Sequence, residues 1–347
     1  MISLLLLIPN VWSPPEYCYP AINNSCIKSL RLPVVHIALY MTVICFIVIT
    51  MCGNLLVIIS VMHFKQLHRP TNILICSLAV VDFLVGFIIM PYSMVRTIES
   101  CWYYGERLCK IHTSFDLMFC TCSIFHLSFI AADRHYAVCD PLHYYAKITF
   151  STVIIFIIVS WTMSFMSAFG IVMSEVTLDG IRDYAASVTC TGMCIFLFNK
   201  LWAVLVSVAT VILPATVMVC VYSKIFVVAR RHAREIGSRS EGSKKNKAYI
   251  SSKSERKAAK TLGVVLGVFI VCWFPCMSAV MFDSFLNYAI PAVLYEAFTW
   301  IAYFNSGFNP IIYSFFYPWF RKAVYIILSG KIFNPGSSGL KLFLENH

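Results

Sequence analysis

Seven long apolar runs, each able to cross a bilayer, constrain this chain more than any other feature. They occupy residues 35–62, 74–95, 111–132, 148–173, 201–223, 261–282 and 297–320, and none carries more than one Asp, Glu, Lys or Arg. A helix spans the hydrocarbon core with about 20 residues. Membrane β-strands would be about ten residues long and strictly alternating, a pattern these runs lack. The chain is 59% hydrophobic and only 12% charged, about half the charge of a soluble domain. It therefore reads as an all-α membrane protein, a seven-transmembrane helix bundle (34–317) between an extracellular N-terminal tail (1–33) and a C-terminal segment (318–347). In that last segment Arg321 and Lys322 stand beside Phe320 and Val324, which suits a short amphipathic eighth helix on the membrane face.

The net charge of +11 is uneven: residues 224–260 hold twelve Lys/Arg against three acids. Positive segments stay cytoplasmic, which sets the N-terminus outside and the C-terminus inside, against membrane lipid. Nucleic acid is excluded as a partner. The sequon at Asn23 fits an external N-terminus. The opening MISLLLLIP lacks the basic flank and cleavage site of a signal peptide and reads as part of the tail.

Charges inside the third run are the informative ones. Asp116 lies in its outer half, and Asp133-Arg134 follow its inner end. An intramembrane carboxylate faces a bundle interior or cavity and marks function. Asp116 and Arg134 are separated by five helical turns, so they share one face about 27 Å apart along the axis. One helix links a charged site at one surface to a charged site at the other. No basic residue occurs inside any run, so a structural ion pair for Asp116 has no evident partner.

Other polar residues fall at corresponding depths: Asn54, Asp82, Ser123, Asn305, Ser306 and Asn309. They form either a satisfied network between helices or a site of sodium size. Pro91, Pro214, Pro275 and Pro310 each remove a backbone bond and permit a kink. Of fifteen cysteines, Cys18, Cys26, Cys101, Cys109, Cys190 and Cys194 lie outside the spans, where disulfides form. A bond from the loop holding Cys190 and Cys194 to Cys109 would draw that loop over the bundle mouth. No zinc spacing, HExxH, GxSxG or paired carboxylates occur, so no cofactor and no enzyme is expected.

Asn54, Asp82, Asp133-Arg134-His135, Trp161, Pro214 with Tyr222, CWFP at 272–275 and NPIIY at 309–313 jointly resemble the landmarks of rhodopsin-like G-protein-coupled receptors, across all seven spans. Asp116 resembles the amine-binding aspartate of aminergic receptors. NSGFNPIIYSFFYPWF at 305–320, with SCWYYGERLCKIH at 100–112 and CTGMC at 190–194, is similar to trace amine-associated receptors. That resemblance implies an olfactory member, of the fish type, that binds a small volatile or biogenic amine and raises cAMP through a stimulatory heterotrimeric G protein. A serotonin-like neurotransmitter receptor is the alternative. A transporter is more distant, because internal repeats are missing.

The resemblance also implies roles. Asp116 would bind the ammonium group and Tyr303 would bond to Asp116. Trp273, Trp300, Cys120, Thr121, Ser207, Thr210, Cys276 and Met277 would line the site. Asp82, Ser123, Asn54, Asn305 and Asn309 would form the polar network, with an allosteric Na+ near Asp82. Arg134 would pair with Asp133 and Glu255 in the closed state and pass to Tyr222 and Tyr313 in the open one. Cys109–Cys194 is the preferred disulfide, leaving Cys190 for Cys18 or Cys26; Cys109–Cys190 is the runner-up. Three departures stand out. His135 replaces a Tyr, Cys276-Met277 replace a Phe pair, and Val206-Ser207 bring no second carboxylate. Asp283 and Glu296 read either as a second cation site or as solvated acids.

Overall fold

The computed structural model describes residues 15–239 and 244–342; for 229, 232–239 and 244–262 it describes the backbone alone. The opening MISLLLLIP and the Glu255 side chain thus lie outside the described residues. Seven long helices form the bundle: α1 (Pro33–His63), α2 (Pro70–Glu99), α3 (Gly105–Cys139), α4 (Phe150–Ser174), α5 (Lys200–Val228, continuing to Arg239), α6 (Lys244–Asp283) and α7 (Ala292–Phe316). A short α8 (Pro318–Leu328) follows. The first six are long and apolar enough to cross a membrane. Helix α7 is the polar one, because it carries Glu296, Asn305, Ser306 and Asn309, and most of this polar face is buried against its neighbours.

Helix α3 lies at the centre, packed against α2, α4 and α5, while α5–α6–α7–α1–α2 close the ring. Close approaches come from small residues. Ser160, Ser164 and Ala168 of α4 are buried, and the rings of Phe129 and Phe156 stack at 4.3 Å between α3 and α4. Gly53 lets α1 meet α7 at its proline, since a Cβ there would lie 2.8 Å from Pro310 Cγ.

The four prolines act in two ways. Ahead of Pro91 and Pro214 the helix widens into one π turn, Val85–Ile89 and Val208–Ile212 respectively. The extra residue absorbs the missing donor and shifts the phase of everything beyond it. Pro275 and Pro310 instead stand inside continuous helix.

Residues 17–29 of the N-terminal tail are built into a cap. Cys18 bonds to Cys101, Cys26 to Cys190 and Cys109 to Cys194. The choice left open for Cys190 thus falls on Cys26, and Cys18 takes Cys101. Backbone bonds join Cys26 to Thr191, Thr191 to Asn24 and Trp102 to Gly192, at 2.7–2.9 Å. Gly192 is required: its φ is +97°, and a Cβ would lie 2.9 Å from Cys18 Cβ. Glu99 anchors the same segment from below, taking an ion pair from Lys28 (2.7 Å) and hydrogen bonds from His36 and Tyr40 (2.9 Å each). Asn23 is exposed on this cap.

At the opposite end α8 buries Trp319, Phe320, Ala323 and Ile326 in one cluster with Val57 and Val61 of α1 and with Phe64 just after it. Arg321 donates to the Ser314 and Phe315 carbonyls and so caps the end of α7. The chain then folds back, burying Leu342 in that cluster and bonding its amide to Gln66 at 2.8 Å.

Candidate ligand-binding site

Beneath the cap lies a cavity of about 360 Å³, within the size range of small-molecule sites. Its walls come from α2, α3, α5, α6 and α7, and its roof from residues 193–198 of the capping loop. Asp116 projects into it from α3. The Tyr303 hydroxyl of α7 donates to Asp116 Oδ2 at 2.5 Å, and the Cys120 thiol donates to Oδ1 at 3.4 Å. Trp273, Cys276 and Met277 of α6 line the cavity with Cys120 and Tyr303.

Four expected lining residues do not reach it. Trp300 donates its indole N–H to Thr97 at 3.1 Å and packs edge-on against Tyr303, one layer behind the wall. Thr121 is turned about 100° from Cys120 around α3 and is buried in packing. The Ser207 hydroxyl donates to the Met277 carbonyl (3.3 Å) and that of Thr210 to the Val206 carbonyl (2.7 Å), beside the π turn of α5. The fifth span therefore contributes an apolar wall through Val206.

Arg96, Asp283 and Glu296 also line the site, and of these Arg96 lay outside every sequence expectation. Arg96, one position beyond the second run, reaches into the cavity near Tyr303, with its Nε 3.3 Å from Glu296 Oε1. Its ion-pair partner is Glu296 and not Asp116. The π turn at Val85–Ile89 rotates α2 beyond Asp82, so simple helical phase could not place Arg96. Glu296 was legible: it lies seven residues before Tyr303, two turns along one face of α7. It is not a solvated acid, since Thr97 donates to its second oxygen at 2.5 Å.

The mid-bundle cluster is compact. Asp82, fully buried, accepts from Ser123 (3.1 Å), Ser306 (2.8 Å) and Asn309 (2.7 Å). Asn54 donates instead to the Thr50 and Ser306 carbonyls, at 2.9 and 3.0 Å. Asn305 is buried, with its amide nitrogen unpartnered.

At the other end of α3, Arg134 is held by its neighbour Asp133 through Nε at 2.8 Å and through a second, shorter bond from its terminal nitrogen. That nitrogen also donates to Thr71 at 2.8 Å. Asp133 is fully buried and accepts further from Thr71 (3.1 Å) and Tyr144 (3.0 Å). No sequence signal pointed to Thr71 or Tyr144. Tyr222 and Tyr313 are buried, and Tyr317 also faces Arg134.

A seven-helix bundle with a capped, charged cavity at one end and a held arginine at the other defines a membrane receptor. The family model described as "7 transmembrane receptor (rhodopsin family)" matches residues 53–313. The chain is 51% identical to trace amine-associated receptor 4 of Mus musculus over 335 residues, 95% of this chain and 96% of the relative. It is 46% identical to trace amine-associated receptor 13c of Danio rerio over 332 residues (96% and 97%). It is 47% identical to trace amine-associated receptor 1 of Homo sapiens over 333 residues (95% and 98%). The chain belongs to the trace amine-associated receptors of the rhodopsin family, multi-pass membrane receptors and not enzymes.

Proposed function

We propose that this receptor sits in the plasma membrane with its capped cavity outside, binds a small amine through Asp116, and activates a stimulatory heterotrimeric G protein that raises cAMP, in olfactory neurons. The observation that carries the amine reading is the Asp116–Tyr303 pair at 2.5 Å, with the Asp116 carboxylate facing the cavity. An ammonium group about 4 Å from Asp116 gains about 4 kcal/mol at an effective dielectric near 20, before desolvation is subtracted. Trp273 adds about 0.5–2 kcal/mol where its ring faces the cation. The basic stretch at 224–260 supports the orientation.

Signal passage needs a ligand that favours one of two arrangements. In the closed arrangement Arg134 is held by Asp133 and Thr71. Release of Arg134 lets the inner end of α6 move out and exposes a groove for the G protein, and Tyr222 and Tyr313 are the residues proposed to receive the freed guanidinium. Glu255 is the second acid proposed to hold Arg134 in the closed state. The Asp82 cluster suits a sodium ion: it combines one buried carboxylate with the hydroxyl oxygens of Ser123 and Ser306, which keep lone pairs while donating to it. Bound there, the ion would neutralise Asp82 and hold α2, α3 and α7 together.

Asp116→Asn tests the reading. With receptor number at the surface measured, responses to a panel of alkyl, aryl and diamines should vanish. An unchanged dose–response curve overturns the amine assignment.

A further inference from the structure

The cavity holds more charge than a single ammonium site needs. Asp116 and Glu296 are both acids, and Arg96 stands 3.3 Å from Glu296 and near Tyr303, whose hydroxyl bonds Asp116. Glu296 is engaged on both oxygens, by Arg96 and by Thr97. Arg96 itself is mostly covered, with 17% of its side chain exposed. A guanidinium so placed cannot shed its charge. Counted together, the two acids and one base leave a single uncompensated negative charge in the deep cavity.

We propose that Arg96 is a specificity-determining residue: by neutralising Glu296 it restricts the deep cavity to ligands with one ammonium group and disfavours α,ω-diamines. The assignment rests on the amine reading given above. A second ammonium that seeks Glu296 finds it paired with the Arg96 guanidinium, and like charges in a desolvated site repel. Without Arg96 the same cavity presents two carboxylates on facing helices, α3 and α7, the arrangement a diamine matches. Asp283, at the mouth, also faces the cavity, but one of its oxygens accepts the Ile290 amide at 2.9 Å and holds the turn after α6.

The test uses full-length receptor in cells, with surface number measured for every variant and dose–response curves for pentylamine and its α,ω-diamine counterpart, extended to shorter and longer chains. The readout is the ratio of diamine to monoamine half-maximal concentrations. Arg96→Gln should lower that ratio by about tenfold, the scale of one partly screened charge contact. Arg96→Gln with Glu296→Gln should return it to the wild-type value, whereas Arg96→Gln with Asp283→Asn should keep the gain. A ratio that does not move in Arg96→Gln overturns the assignment, as does a gain that survives loss of Glu296. Glu296→Gln alone supplies an independent reading, since it leaves Arg96 free to compete for Asp116. The monoamine curve should then shift right by about tenfold, and an unshifted curve overturns the assignment even where Arg96→Gln fails to reach the surface. A wild-type receptor at the surface that answers no amine of either set refutes the amine reading, an outcome distinct from an unmoved ratio.

Discussion

Asp116 was legible because a carboxylate in an apolar run has few structural explanations, and Cys109 because it stands just outside the same run. Their partners were legible in part. Tyr303 and Glu296 share a helical face, so spacing finds both. Arg96, Thr71 and Tyr144 come from segments whose phase or path depends on a π turn or a loop, and no local pattern points to them. Two outcomes belong at this scale. Tyr303→Phe removes a hydrogen bond to a charged group, worth about 1.5–3 kcal/mol. The half-maximal amine concentration should rise at least about tenfold, read by dose–response at matched surface number. Gly192→Ala places a Cβ where φ is +97° and Cys18 Cβ is 2.9 Å away. It should cost at least about 1–3 kcal/mol, seen as reduced surface receptor and a lower melting temperature.

Helix existence followed from run length and apolar content, since a bilayer leaves few alternatives to a helix. The π turns were less accessible: proline announces a kink, not whether the helix widens to absorb it. The cap was legible only as a set of cysteines outside the spans. Its pairing depends on where Trp102 and Thr191 bring the backbone, and that is three-dimensional information. Cys26→Ser should loosen the strap over the cavity, speeding release of a bound amine and lowering the melting temperature, both measurable on purified receptor. Glu175, just beyond α4, is tied to Lys110 at 2.7 Å. Its hydrogen bond to Lys110 holds the carboxyl below its ordinary value. A depressed carboxylate contributes stability above its unfolded value, about 4.3, and loses it as pH falls through the lower folded value. Hydrogen exchange in 175–199, corrected for intrinsic rate, should therefore stay level from about pH 5 to 8 and rise only in stronger acid.

Across the whole molecule the cavity and Arg134 are joined by the unbroken α3, with the Asp82 cluster bridging α2, α3 and α7 between them. Thr71→Val or Tyr144→Phe each removes one bond that holds Asp133 and, through it, Arg134. Either should raise ligand-independent G-protein activation, by about threefold if closure loses about 0.7 kcal/mol, measured as guanine-nucleotide exchange in membranes; unchanged basal exchange would place the restraint elsewhere. The cap carries a further consequence, for biosynthesis. Its bonds join positions 83, 164 and 85 residues apart. With the cap outside, Cys18 can meet Cys101 once the second span has crossed, but Cys26 must wait until four spans are inserted and Cys190 has emerged. The receptor's outer surface is therefore the last part of its first half to mature, and Cys26 spends that interval as a free thiol in an oxidising lumen. Oxidative closure of the strap becomes a timed step in which the wrong partner, Cys101 for Cys26, is available before the right one.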